Sequence, residues 1–178
     1  MPNWNYNEVT IDAPENEVRE YLVFTEEKNI FDMQNISFNM HKIFPEKFPT
    51  WDPTGAQNWD YLWACDHTGT KWFPCIDAVM AEDDEGSYIC YDSAWVPNNL
   101  TLLKLSEITG WEIKNEYGES NMCFEGTFIC KAWKVLLDEE REYRQCCEIC
   151  EGRYLTDELP EDAEEHCFCP SCYNKRGG

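Results

Sequence analysis

Residues 5–13, NYNEVTIDA, interleave polar and apolar positions as a half-buried strand does, with Tyr6, Val9 and Ile11 apolar. Asp12 to Pro14 then open a helix. Proline is tolerated in a first turn, and Glu15 and Glu17 suit the positive helix end. Val18, Tyr21, Leu22 and Thr25, at spacings of three and four, form the predicted buried stripe. A strand-like stretch follows from Ile36 to Phe44. Residues 45–70 hold Pro45, Pro49, Pro53, Gly55 and Gly69 and read as a long irregular loop. That loop also holds Trp51, Trp59 and Trp63. So much apolar area predicts a loop that is ordered and folds back on the sheet.

Residues 70–80, TKWFPCIDAVM, predict a strand with Pro74 near its start or at an edge. Glu82 to Gly86 is an acidic turn, and 87–95, SYICYDSAW, is a second strand, so the two predict a hairpin. Pro97–Asn98–Asn99 opens a helix that runs to Thr109, with Leu100, Leu103 and Ile108 as its apolar side and Gly110 as its stop. Residues 111–117, WEIKNEY, predict a strand. A turn at Gly118–Asn121 leads to another, MCFEGTFICKAWKVLL. The order contains βαββαβ, two split βαβ units that put two helices on one face of an antiparallel sheet. The predicted class is therefore an α+β ferredoxin-like sandwich with one or more extra strands and right-handed crossovers. Residues 138–145, DEEREYRQ, link or extend the last strand. Beyond them the composition turns to cysteine and acid, which divides the chain into residues 1–137 and a small module at 138–178.

Charge changes the picture next. Lys+Arg is 14 and Asp+Glu is 35, a net −21. From Asp138 to Glu165, twelve acidic residues face three arginines. Such a chain repels nucleic-acid phosphates and anionic membranes and attracts basic protein faces. Direct nucleic-acid binding is accordingly not expected, although acidity also serves solubility alone. No run approaches the ~18 apolar residues of a membrane span. The first residues lack the basic and apolar regions of a secretory leader. Eleven cysteines cannot all pair within one chain, and together with the missing leader they predict reduced thiols in a cytoplasmic protein. Cys65, Cys75, Cys90, Cys123 and Cys130 sit among apolar neighbours and read as small buried hydrophobes.

The other six cysteines carry chemistry. Cys147-Glu-Ile-Cys150 and Cys169-Pro-Ser-Cys172 are two CxxC pairs separated by eighteen residues, the spacing of a zinc ribbon. A CxxC turn points both sulfurs at one metal, and the following backbone N–H groups spread the thiolate charge. Two such turns complete a tetrahedron with Zn–S near ~2.3 Å. Four thiolates leave no open position, so the predicted Zn2+ is structural. The segment has few core residues of its own, which makes metal binding its folding energy. An iron centre on the same ligands and a disulfide or redox pair are the alternatives. Cys146, Cys167 or His166 could replace one ligand.

No serine nucleophile elbow, phosphate-cradling glycine loop or HExxH occurs. Asp66-His67 could act as a general base and its orienting acid, but such a histidine is more often a packing or surface residue. Lys71 between aromatics reads as a cation–π stack before a perturbed lysine. Trp59, Trp63, His67, Lys71, Trp72 and Trp95 are the candidate lining of one cleft, against the simpler reading of a core beneath a long loop. Trp72 and Trp95 are expected on neighbouring strands, with Trp95 buried.

Three blocks, the opening MPNW-N-x-N-x-V-T-I, Gly69-Thr70-Lys71-Trp72 and Ser93-Ala94-Trp95-x-Pro97, together with Glu125-Gly126, resemble the YubB-type ferredoxin-like proteins of phages and plasmids. The likeness covers roughly residues 1–130 and leaves the cysteine-rich tail uncovered. Asn5, Thr68 and Asn98 depart from the pattern, which more often has Cys, Trp and Pro there. The resemblance implies the fold and a mobile-element origin, hence a host-cell cytoplasm, and no reaction. The leading expectation is a non-enzymatic phage or plasmid accessory protein that binds a basic host or defence protein, as an acidic mimic of nucleic acid. The alternatives are a zinc-ribbon protein of phage transcription or replication, and an enzyme with a tryptophan-lined cleft.

Overall fold

The computed structural model describes residues 4–28, 34–45, 61–70, 76–83, 86–119, 123–144, 154–155 and 172. Its centre is β1 (Trp4–Ile11), antiparallel to β5 (Gly86–Ala94) on one side and to β6 (Glu112–Glu119) on the other. β4 (Ile76–Asp83) pairs with β5. β7 (Phe124–Lys131), β8 (Lys134–Arg144) and β9 (Tyr154–Leu155) extend the sheet beyond β6. These seven strands form an antiparallel sheet of order β4-β5-β1-β6-β7-β8-β9 in an α+β chain. Within it, β5 lies between β1 and β4, and β1 lies between β5 and β6. Both connections that leave the sheet skip one strand, as split βαβ units require.

The connection from β5 to β6 is the helix α4 (Asn99–Thr109). The connection from β1 to β4 is more elaborate. One turn of helix, α1 (Glu15–Val18), passes into a 3-10 turn at Arg19–Tyr21 and then a hairpin of β2 (Leu22–Lys28) and β3 (Gln34–Phe38). α2 (Met40–Ile43) and α3 (Tyr61–Thr68) follow. Val9, Ile11, Ile89, Tyr91, Ile113 and Phe128 line the covered face of the sheet, and Val18, Leu22, Phe38, Ile43, Leu102 and Leu105 pack onto it.

Several expectations are corrected here. The predicted helix stripe through Leu22 and Thr25 ends early, because Leu22-Val23-Phe24-Thr25 is a β-branched and aromatic run that pairs with β3 instead. The strand expected over 36–44 stops at Phe38, where Asn39 caps α2 by accepting from the Lys42 N–H at 3.1 Å. The expected loop 45–70 contains α3. The strand MCFEGTFICKAWKVLL is a hairpin, folded at Ala132–Trp133. β8 then runs on to Arg144, so that residues 138–144 extend the last strand.

The apolar side predicted for α4 is also corrected. Thr101, Leu102, Leu105 and Ser106 are buried, whereas Leu100 is 42% and Ile108 39% exposed. Leucine and isoleucine occur all round this helix, so spacing alone allows two faces, and packing on β7 selects the other one. Gly110 does end the helix, with φ 78 and its N–H donating to the Ser106 carbonyl at 2.9 Å.

Candidate functional site

Of the predicted cleft residues, the structure brings Trp63 and His67 together on α3. Their rings stack at 4.6 Å, one helical turn apart, and Phe44 meets the Trp63 ring edge-on at 5.4 Å. His67 Nδ1 lies 2.9 Å from the Trp63 carbonyl, which can only accept, so Nδ1 carries the proton and Nε2 is left as the acceptor of the neutral ring. Asp66 and His67 line a groove of about 380 Å³, with Phe44 and Pro45 behind them and Leu100, Lys104 and Ile108 of α4 opposite. Trp133, 53% exposed, closes its far wall. Lys104 is the cation of this groove among the described residues.

Trp95 is corrected. It lies just past β5 with φ 74 and is 44% exposed, so it is not the buried core residue expected. Trp59, Lys71 and Trp72 lie outside the described residues.

A second feature was missed by reading only apolar residues on β1. The side chains that share its covered face are Asn5, Asn7, Val9 and Ile11, so two asparagines enter the core. Asn7 Nδ2 donates to Ser93 Oγ at 2.9 Å and to the Asn5 carbonyl at 3.0 Å. Asn115 Nδ2 donates to Asn7 Oδ1 at 3.1 Å and to Asn99 Oδ1 at 2.9 Å. Tyr91 donates its hydroxyl to Asn98 Oδ1. Ser93 reaches the Val96 carbonyl at 2.8 Å, and Thr70 reaches the Ala94 carbonyl at 2.7 Å. The opening block, the Gly69-Thr70 block and the Ser93-Ala94 block, distant in sequence, meet in this buried network. A core that holds polar groups this way fixes strand register, since each bond is made in only one alignment. The signal was available: period-two polar residues in phase with Val9 and Ile11.

The opposite face of the sheet is acidic. Cross-strand pairing sets Glu8 directly against Glu116, and Thr127, the next residue in that row, against Glu139. The neighbouring row holds Asp92, Tyr6, Gly118, Glu125 and Arg141. Lys114 pairs with Glu116 at 2.7 Å and Arg141 with Glu139 at 3.7 Å, and Glu8, Asp92 and Glu125 share the same two rows. A hollow of about 270 Å³ opens here, bordered by Tyr6, Glu116, Glu125, Thr127, Glu139 and Arg141. Cys90 sits on this face beside Glu8, its thiol donating to the Tyr88 oxygen at 2.9 Å, and burial pushes the thiol pKa up. It is half-buried, as are Cys65 and Cys123, whereas Cys130 is fully buried as expected.

Of the predicted zinc ligands, Cys147, Cys150 and Cys169 lie outside the described residues, as do Cys146, Cys167 and His166. Cys172 is described and buried. Among the described residues, no group of three or more potential ligands gathers, and no helix is long and apolar enough to cross a membrane.

No family model and no curated protein matches the chain. Among solved structures it is similar to a protein api92 from Yersinia pseudotuberculosis, of the family model DUF1281, at 18% identity and a TM-score of 0.41. The match covers 45% of this chain and 29% of that one, so the chain spans under a third of its neighbour's length.

Proposed function

We propose that this chain is a non-enzymatic accessory protein of a phage or plasmid that docks a basic protein on the open face of its sheet. The observation that supports this most is the Glu8–Glu116 pair. Like charges directly opposite on adjacent strands destabilise a sheet by roughly 0.2–1 kcal/mol. Here they stand in rows that also carry Glu139, Asp92 and Glu125. Solubility needs carboxylates but does not need them facing each other. The hollow, bordered by Glu116, Glu125 and Glu139 against one guanidinium, Arg141, has the size and net charge to take an arginine or lysine side chain of the partner. The strand order around β1 supports the ferredoxin-like arrangement. The resemblance of the three sequence blocks to YubB-type proteins supports the mobile-element origin and the host cytoplasm as its compartment. A structural zinc on Cys147, Cys150, Cys169 and Cys172 holds the tail.

The test is a comparison at equal charge. The triple variant Glu8→Gln, Glu116→Gln, Glu139→Gln is set against Glu15→Gln, Glu17→Gln, Glu107→Gln, and binding of an arginine-rich peptide is titrated against salt. The first variant should lose far more affinity than the second, and the wild-type affinity should fall steeply as the screening length drops to ~8 Å at physiological ionic strength. Equal loss in both would reduce the effect to net charge. Tight binding of duplex DNA at physiological salt would overturn the reading in favour of a nucleic-acid protein.

A further inference from the structure

The turn between β7 and β8 is built from residues that resist it. Lys131 pairs directly with Lys134, so the loop has two residues, and both take positive φ: Ala132 at 46 and Trp133 at 69. Two-residue hairpins of this kind favour Asn-Gly, because a Cβ is crowded at positive φ. A tryptophan there does nothing for the backbone. Strain of this sort persists at sites where position matters more than stability. The strain here sets the indole beside α4, with its backbone N–H 3.4 Å from Ser106 Oγ and the Lys104 ammonium 5.8 Å from the ring centroid, while about half its surface stays exposed. Trp133 is then the aromatic wall of the groove floored by Leu100 and Ile108 and edged by Asp66 and His67.

We propose that this groove binds a small neutral heteroaromatic ring with N–H donors along one edge, a nucleobase-type group. Size comes first: about 380 Å³ holds a small molecule and not a helix. Charge decides the rest. Asp66 lines the groove, Lys104 is already paired with Glu107, and the chain carries −21, so an anion is repelled. Lys104 already lies over the indole, so an organic cation meets a like charge. A neutral ring can stack on Trp133 and pack against Leu100 and Ile108. His67 Nε2 and the Asp66 carboxylate both accept, so the recognised edge must donate. Guanosine has such an edge, in its ring N–H and exocyclic amine. The same base occurs in nucleotides and single strands, whose phosphates this surface repels, which favours the uncharged nucleoside.

The test uses the full chain and isothermal titration with guanosine, guanosine monophosphate and a short single-stranded oligonucleotide. Guanosine should bind, and both phosphate-bearing ligands should bind more weakly. Trp133→Gly should lose about tenfold or more in affinity, the scale of one base–aromatic stack, without a fall in Tm, because glycine suits the turn. His67→Phe keeps a flat ring against Trp63 and removes the acceptor, and should lose about tenfold as well. Leu62→Ala, on the exposed outer side of α3, should change nothing. No guanosine binding to the wild-type protein, or affinity unchanged in both Trp133→Gly and His67→Phe, would overturn the site. Tighter binding of the monophosphate, of benzoate or of tetramethylammonium than of guanosine would overturn the neutral-ring assignment.

Discussion

Tyr117 shows how one side chain depends on another's lack of one. It lies against Gly126 on the neighbouring strand, and a Cβ built there would sit 2.4 Å from the phenol ring and 2.7 Å from the Glu139 carbonyl. Gly126→Ala should therefore destabilise by about 1–3 kcal/mol through overpacking, read as a lower urea midpoint at unchanged slope. Burial, and then the carboxylates of Glu140 and Asp138, push the Tyr117 pKa from 10.0 up to about 12. A raised folded-state value means that the folded form holds its proton more tightly than the unfolded chain. The stabilisation is present below about pH 10 and is lost as pH rises towards about 12. Urea unfolding across that window should show a decline in wild type that is shallower in Tyr117→Phe. Equal slopes in both would remove Tyr117 from the alkaline transition.

At the scale of elements, α4 offers a direct contrast. Leu102 and Leu105 are fully buried, while Leu100 is largely exposed. Leu102→Ala and Leu105→Ala should each cost about 2–5 kcal/mol, against roughly 0.5 kcal/mol or less for Leu100→Ala. The opposite ranking would restore the face that spacing suggests. The asparagine network links β1, β5, β6 and the start of α4. Asn7→Ala orphans Asn115 Nδ2 and Ser93 Oγ at one of their bonds, so it should cost about 1–3 kcal/mol, the penalty of a buried group left unpaired. Thermal unfolding of this variant at neutral pH checks the figure. Most element types in the second half of the chain were legible, because long runs such as 87–95 and 97–109 carry their own turn and cap residues. The hairpin at Ala132–Trp133 was not, because its sequence has neither Gly nor Asn. The β2–β3 pair was hidden because Leu22 continues a helical spacing begun at Val18 and also begins a β-branched run.

For the whole molecule, the expected metal sets the test of the tail. Two CxxC pairs predict about one zinc per chain with sulfur coordination, read by metal analysis and X-ray absorption of the purified protein. Cys150→Ser should abolish that zinc and disorder the tail, while the near-UV circular dichroism of the sheet is largely kept. Absence of zinc and iron together with disulfides at 147–150 and 169–172 would sink it. β9 pairs with the end of β8, so loss of the tail should also expose the β8 edge.

By itself the sequence determined the alternation of strands and helices in the second half of the chain, the C-terminal stop at Gly110, the acidic balance and the metal-ligand spacing. These are local or additive properties, and a linear string records them directly. Only the tertiary structure decided which face of α4 is buried, that Asn5 and Asn7 point inward, and that Glu8 stands opposite Glu116. It also joined His67 to Lys104 and Trp133 rather than to Trp95. Each of those depends on pairing between segments tens of residues apart. Register in a sheet has a period of two, so a one-residue shift would exchange the asparagine face for the carboxylate face. The inward-facing hydrogen bonds of Asn7 and Asn115 hold the alignment that keeps Glu8 and Glu116 on the opposite face.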